Sequence, residues 1–435
     1  MFEATTYPTR TLRSLLESGE ISIVNGFACG EHNSNGIGAL QIRPFNVSSG
    51  GVVDLGQQKH VPVRAAAGKP TLTANDVLFN NTNTKELVGK SALWNGPEGC
   101  VYSNHMTRVR VLSPNVSPSY VAAAIHAHWL VGRSQMLARA HVAQASILGE
   151  RFGEIEVPWP QPSEQQAFAQ VFDALHASLS IESRLIDNAQ DLKGAAMRTL
   201  FTRGLRSEEQ KETEIGPIPQ SWDVTAIGDV ALTTQYGLSV RGQPSGTYPI
   251  LRMNCQEDGS VHYRNLQYVD LDQPTYETFR LRPGDLLFNR TNSIDLVGRT
   301  AIVDEDRPAV FASYLVRLTI DANRCLPRFL NYFMNWPATQ VEIKKLASRA
   351  VGQANINASK LRTVQFPLPP TIDEQRDIVA ILDAIHRKID LHKRKRAVLD
   401  ELLKSLLHKL MTGAIRVGDL DLSDIKPSGV GEVAA

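Results

Sequence analysis

The chain has 435 residues, 42% hydrophobic and 21% charged, a composition that excludes wholesale disorder and a length that allows about three units of roughly 150 residues. Its net charge of +1 leaves any nucleic-acid partner to local basic patches or to a more basic companion. Four widely separated cysteines, Cys29, Cys100, Cys255 and Cys325, form no CxxC, which argues against a disulfide framework and a zinc ribbon and suits a reducing cytosol.

The opening stretch MFEATTYPTRTLRSLLESGE has no apolar run of signal-peptide type, so a cytoplasmic protein is expected. Short apolar runs bounded by turn residues follow, such as NDVLFN (75–80), and read as strands. SYVAAAIHAHWL (119–130) reads as an amphipathic helix too short to span a bilayer. Its His126 and His128, two apart and hence on different faces, make a poor metal pair. After a proline-bearing stretch (142–160), apolar residues recur in heptad steps at Phe168, Phe172, Leu175, Leu179 and Ile186.

Then the chain repeats itself. LFNNTNTKELVG (78–89) matches LFNRTNSIDLVG (287–298), with ten identities in the seventeen positions from Asp76/Asp285 to Ala92/Ala301. VAQASILGERFGEIEVPWP (142–160) aligns with VGQANINASKLRTVQFPLP (351–369) at the same offset of 209, and SEQQAFAQVFDALH (163–176) with DEQRDIVAILDAIH (373–386) at 210. The second heptad seam is the cleaner one: Ile378, Leu382, Ile385, Ile389, His392, Arg396, Leu399, Leu403, Leu406 and Leu410. Thr371 and Asp373 are candidate N-caps and Gly413 a stop. Each half is therefore expected to be a mixed α/β (α+β) domain followed by a long helix. The boundaries expected are 1–160, 161–206, 207–369 and 370–416, with a flexible tail over 417–435. A narrow apolar stripe must be buried, and antiparallel pairing of the two helices into a coiled coil with a pseudo-two-fold would set polar Glu182 beside His392 and Arg396, either paired so as to fix register or with all three side chains snorkelling out of the seam.

Nucleotide and hydrolase motifs are missing: there is no GxxxxGK[ST], GxSxG or HExxH, and no Asn/Asp-Pro-Pro-aromatic stretch. With the doubled GQANI…FPLPP…DEQ pattern and the final LLHKLMTGAIR assembled, the chain resembles the specificity subunit of type I restriction-modification enzymes. GPIPQSWDVTAIGDVA (216–231) is similar to the usual lead-in to the second recognition domain, which the first half lacks. The resemblance implies a non-catalytic subunit whose two target recognition domains each read half of a bipartite, asymmetric site in double-stranded DNA. It also implies that the coiled coil sets the spacer and docks two modification subunits. S-adenosylmethionine, ATP and magnesium would then belong to those modification subunits and to restriction subunits. A non-catalytic protein-binding scaffold is the alternative, and no membrane association is expected.

For the repeated stretch two readings stand together. One is a strand and an Asn/Thr-rich turn whose side chains bond their own backbone up to Gly89 and Gly298. In the other, Asn81/Arg290, Thr82/Thr291, Asn83/Asn292 and Lys90/Arg299 hold phosphates. Base readout is expected where the copies diverge, over 33–46 and 239–254, with Arg43, Asn46, Arg241, Gln243, Arg252 and Asn254 as candidates because their side chains suit base edges. The basic run HKRKR (392–396) reads as a solvated helix face, with phosphate contact or docking to an acidic surface left open.

Overall fold

The computed structural model of the protein describes residues 7–350 and 352–420. Residues 421–435, most of the expected tail, lie outside them. Residues 417–419 form a single helical turn, with Val417 buried. Two compact units emerge, one of residues 1–184 with 392–435, the other of residues 185–391.

In the first unit an antiparallel sheet runs in the order Ile21–Asn25, Met106–Val111, Val77–Asn80, Ser91–Leu93. In the second, the same order is Ala231–Tyr236, Leu315–Ile320, Leu286–Asn289, Thr300–Ile302. A smaller sheet in each unit joins one antiparallel and one parallel neighbour to Ala39–Ile42 and to Tyr248–Leu251. The second strand of the repeated stretch, Thr82–Asn83 or Thr291–Asn292, pairs with Ala145–Ser146 or Gln353–Asn355. The mixed α and β character expected of both halves is what the structure has, and the second sheet continues past Thr300–Ile302 with two further strands, Ser260–Val261 and Gln256–Glu257.

The unbroken apolar runs VLF and LLF follow from their place in the sheet. Val77 and Phe79 enter the core beneath helix Pro118–Leu130, whereas Leu78 enters a separate cluster on the opposite face. Leu286, Phe288 and Leu287 divide in the same way. A strand covered on both faces has no polar side to show in its sequence.

The long helices span Pro162–Arg203 and Ile372–Thr412, each about 60 Å at 1.5 Å per residue. Thr371 caps the second, its Oγ1 accepting from Glu374 N–H at 3.2 Å. Asp373 lies inside the first turn, where it complements the helix dipole, and is not the cap. Gly413, at φ +74°, ends the helix. Within the first unit the two helices run antiparallel. Phe168, Phe172 and Leu179 share one core with Leu403, Leu407 and Leu410, and Leu175, Leu399 and Leu406 pack on it. Within the second, Met197, Leu200 and Phe201 share a core with Ile378 and Leu382. Ile186 and Ile389 are buried and Ile385 half-buried. The seam is not a free-standing coiled coil at these ends, because the same side chains complete the domain cores: Phe168 meets Tyr120 edge-on at 5.5 Å.

Candidate nucleic-acid interface

The repeated stretch folds as its turn chemistry requires. Asn83 and Asn292 each accept from the next backbone N–H, of Thr84 and Ser293, at 2.8 Å. The turn closes where Gly89 and Gly298 donate to Asn80 O and Asn289 O, at 2.8 and 2.9 Å. Both glycines have positive φ, +99° and +91°. A Cβ would stand 2.4 Å from Ser134 Cβ in one copy and 2.7 Å from Ile343 Cγ2 in the other, so the position admits glycine alone.

Three candidate side chains are turned inward. Asn81 is fully buried, donating to Thr107 Oγ1 at 2.9 Å and Asn104 O at 3.2 Å, while its Oδ1 accepts from Thr82 Oγ1 at 2.8 Å. Lys90 is buried with its ammonium on Val47 O, and burial lowers its pKa. Asn46 is spent on Asp54 O and Gln57 O, both at 2.8 Å. None of the three presents a donor to a duplex, because burial obliges each to satisfy the fold first.

Their counterparts differ. Arg290 lays its guanidinium 4.9 Å over the Tyr236 ring and donates to Ser313 O at 3.2 Å. Register places Tyr236 where the first copy has Asn25, which accepts from Thr107 Oγ1 at 2.7 Å. One copy thus holds an Asn25–Thr107–Asn81 hydrogen-bonded chain where the other holds a cation–π pair. Arg299, opposite Lys90, is exposed.

Structure brings part of the divergent loop to the motif. In the second unit Asn292 Nδ2 lies 3.1 Å from Met253 Sδ, next to exposed Asn254, and Asn355 Nδ2 donates to Thr291 Oγ1 at 2.6 Å. Arg43 and Arg252 are equivalents, each opening a short 3-10 turn, Pro44–Asn46 or Met253–Cys255. Both are half-buried: Arg43 Nε donates to Gln41 Oε1 at 3.1 Å and Arg252 Nη2 to Asn265 O at 3.4 Å. Gln243 bridges Tyr268 through two 2.8 Å backbone bonds with its side chain exposed, and Arg241 is exposed beside it. Sequence reasoning missed Gly26 and Gly237, which start these loops. A Cβ there would stand 2.2 Å from Ser103 O or 2.4 Å from Ala312 O.

At the seam, Glu182 is 2% exposed. His392 Nδ1 bonds its Oε2 at 2.7 Å and Lys395 Nζ its Oε1 at 2.6 Å, and Lys395 first, then His392, holds the carboxyl below its usual pKa. Arg396 is not the partner expected: it lies in solvent, and Lys395, one turn on from His392 on the side facing Glu182, supplies the second cation.

Tyr7 went unread in the sequence, whereas Trp222 lies in the lead-in IPQSW (218–222), an IPxxW stretch. Tyr7 O–H donates to Glu164 Oε1 at 2.6 Å, and Trp222 Nε1–H donates to Glu374 Oε1 at 3.3 Å. Tyr7 therefore takes in the first unit the place of the IPxxW tryptophan. The doubled E-Q of the helix starts is the signal, since Glu164 and Glu374 align. Gln375, the next residue, accepts from Leu326 N–H at 2.7 Å and donates to Arg324 O at 3.1 Å. Among the described residues no group of three His, Cys, Asp or Glu side chains is placed to hold a metal, and no helix is long and apolar enough to cross a membrane.

Residues 219–401 match the family described as type I restriction modification DNA specificity domain. The chain is 31% identical over 232 residues to a putative type I restriction enzyme specificity subunit of Methanocaldococcus jannaschii, an alignment spanning 52% of this chain and 53% of that one. It is 26% identical over 391 residues, 86% of this chain and 82% of the relative, to a type I restriction enzyme specificity subunit of Salmonella potsdam. The match to the first of these thus spans about half of that relative's length. A crystal structure of a type I restriction-modification S subunit from M. genitalium shares the fold, with TM-score 0.58 and 14% identity over 94% of this chain and 96% of that one. The resemblance indicated by the doubled motifs is borne out.

Proposed function

We propose that this chain is the DNA-recognition subunit of a type I restriction-modification complex, reading a bipartite site through its two recognition domains. It contributes no bond-making chemistry of its own. One observation carries the reading: a single fold occurs twice, matched at the glycine-closed turn and different in the loops that end at Arg43 and Arg252. Two modules built alike for one kind of ligand, but unlike at their exposed Arg, Gln and Asn side chains, suit two different half-sites of a common duplex. Paired long helices then set the spacer and dock two modification subunits, which bring S-adenosylmethionine. Restriction subunits bring ATP-driven cleavage, with magnesium.

Sequencing of methylated sites in cells carrying the full system tests this. Arg241→Ala is expected to relax one position of one half-site, costing about 1–3 kcal/mol of discrimination there and leaving the other half-site intact. Uniform weakening over all sites would move Arg241 to a phosphate. Methylation with unchanged sequence preference when this chain is absent would overturn the reading.

A further inference from the structure

Between the divergent loop and the repeated stretch of each unit stands a tight turn, residues 103–106 in the first and 312–315 in the second. It closes where Met106 N–H donates to Ser103 O, or Leu315 N–H to Ala312 O, both at 2.9 Å. The same three neighbours hold it in both units. Asn104 or Ser313 N–H donates to the start of the divergent loop, to Phe27 O at 3.0 Å or Leu238 O at 2.9 Å. Ser103 or Ala312 N–H donates to the strand leading to Arg43 or Arg252, to Ile42 O or Leu251 O, both at 2.9 Å. His105 O or Tyr314 O accepts from the repeated stretch, from Asn81 or Arg290 N–H, both at 3.0 Å. The last residue of the turn, Met106 or Leu315, is buried in the core.

The side chains that this common frame holds outward differ. Tyr314 is 46% exposed, and His105, its equivalent at the offset of 209, is half-exposed. An imidazole and a phenol differ in size and in hydrogen-bonding pattern, yet the same backbone bonds form around both, so the fold does not select the side chain here. Neighbouring side chains change with it: Asn25 and Asn81 in the first unit stand against Tyr236 and Arg290 in the second, and Arg290 Nη1 donates to Ser313 O of the turn at 3.2 Å. A backbone pinned from three sides leaves its outward side chain little further ordering to undergo on binding, as the reading of base edges requires. Variation on such a frame, between two regions already placed as candidates for DNA contact, changes what is read without changing where.

We propose that His105 and Tyr314 are base-reading positions, His105 for the half-site met by the first unit and Tyr314 for the half-site met by the second. The proposal rests on the DNA-recognition reading above and adds to it two residues outside the divergent loops. Tyr314 offers a hydroxyl to a base edge and a ring face to a thymine methyl, and His105 offers a ring nitrogen.

The test uses the full chain reconstituted with modification subunits, measuring binding to duplexes in which each position of each half-site is varied in turn. Y314A is expected to lower discrimination roughly 5- to 100-fold at one or two adjacent positions of one half-site and to leave the other half-site as it was. H105A is expected to do the same at the other half-site alone. Y314H and H105Y, each giving a turn the side chain that its counterpart already carries, keep the test open if an alanine variant fails to fold, and are expected to alter preference at those same positions. Unchanged preference in all four variants overturns the proposal. An even loss of affinity over all duplexes also overturns it, since that assigns the side chains to phosphates, as does relaxation of both half-sites by one substitution. A parent complex that binds every duplex alike counts against the recognition reading itself. One that discriminates, while the variants match it, counts against these two residues alone.

Discussion

His126 illustrates how a residue of functional reputation is explained by its surroundings. It is 4% exposed, its Nε2–H donates to Ser49 O at 3.2 Å, and its Nδ1 accepts from Ser91 N–H at 3.3 Å. A second proton would set two donors against each other, and burial lowers its pKa to about 4. Unfolded, the imidazole takes its proton near pH 6.5, so its contribution to stability is full above that pH, declines as the pH falls, and is gone by about pH 4. The loss is on the order of 3 kcal/mol. The other copy has Asn335 here, whose Oδ1 accepts from Thr300 N–H at 3.3 Å. His126→Asn is therefore expected to fold and to flatten the decline in denaturation midpoint between pH 6.5 and 4. A decline as steep as in the parent chain would refute this account. Tyr7 teaches the same lesson from the other side. Nothing in YPTRT marks an anchor, and only contact with Glu164 shows that it stands in for Trp222.

Elements were the most legible level. Heptad spacing located both long helices because a stripe that must be covered leaves a periodic trace. The same spacing misjudged details at the polar centre, where Lys395 and not Arg396 meets Glu182. An apolar position lies inside the seam by default, whereas a long cation is placed by whichever carboxylate it can reach. Burial separates structural from incidental leucines on one helix: Leu382 is 0% exposed and Leu391 64%. Leu382→Ala is expected to cost about 2–5 kcal/mol and Leu391→Ala about 0.5 or less, read from denaturant midpoints. Equal costs would deny that the seam faces the core. The strands, by contrast, gave no alternation to read at VLF and LLF, since both of their faces are buried.

For the molecule as a whole, the proposed ruler makes its own prediction. Inserting four residues into both long helices adds about 6 Å and is expected to lengthen the preferred spacer by one or two base pairs at about 3.4 Å each, by methylated-site sequencing. An unaltered spacer would exclude the helices as the measure. The sequence by itself determined the duplication, the two long helices, the glycine-closed turns and the resemblance, because repeats, heptads and positive-φ glycines are written in residue order. Tertiary structure alone decided that Asn46, Asn81 and Lys90 face inward, and that Tyr7 replaces a tryptophan. A polar side chain's direction depends on what the fold brings within hydrogen-bonding reach, and those partners lie tens to hundreds of residues away along the chain.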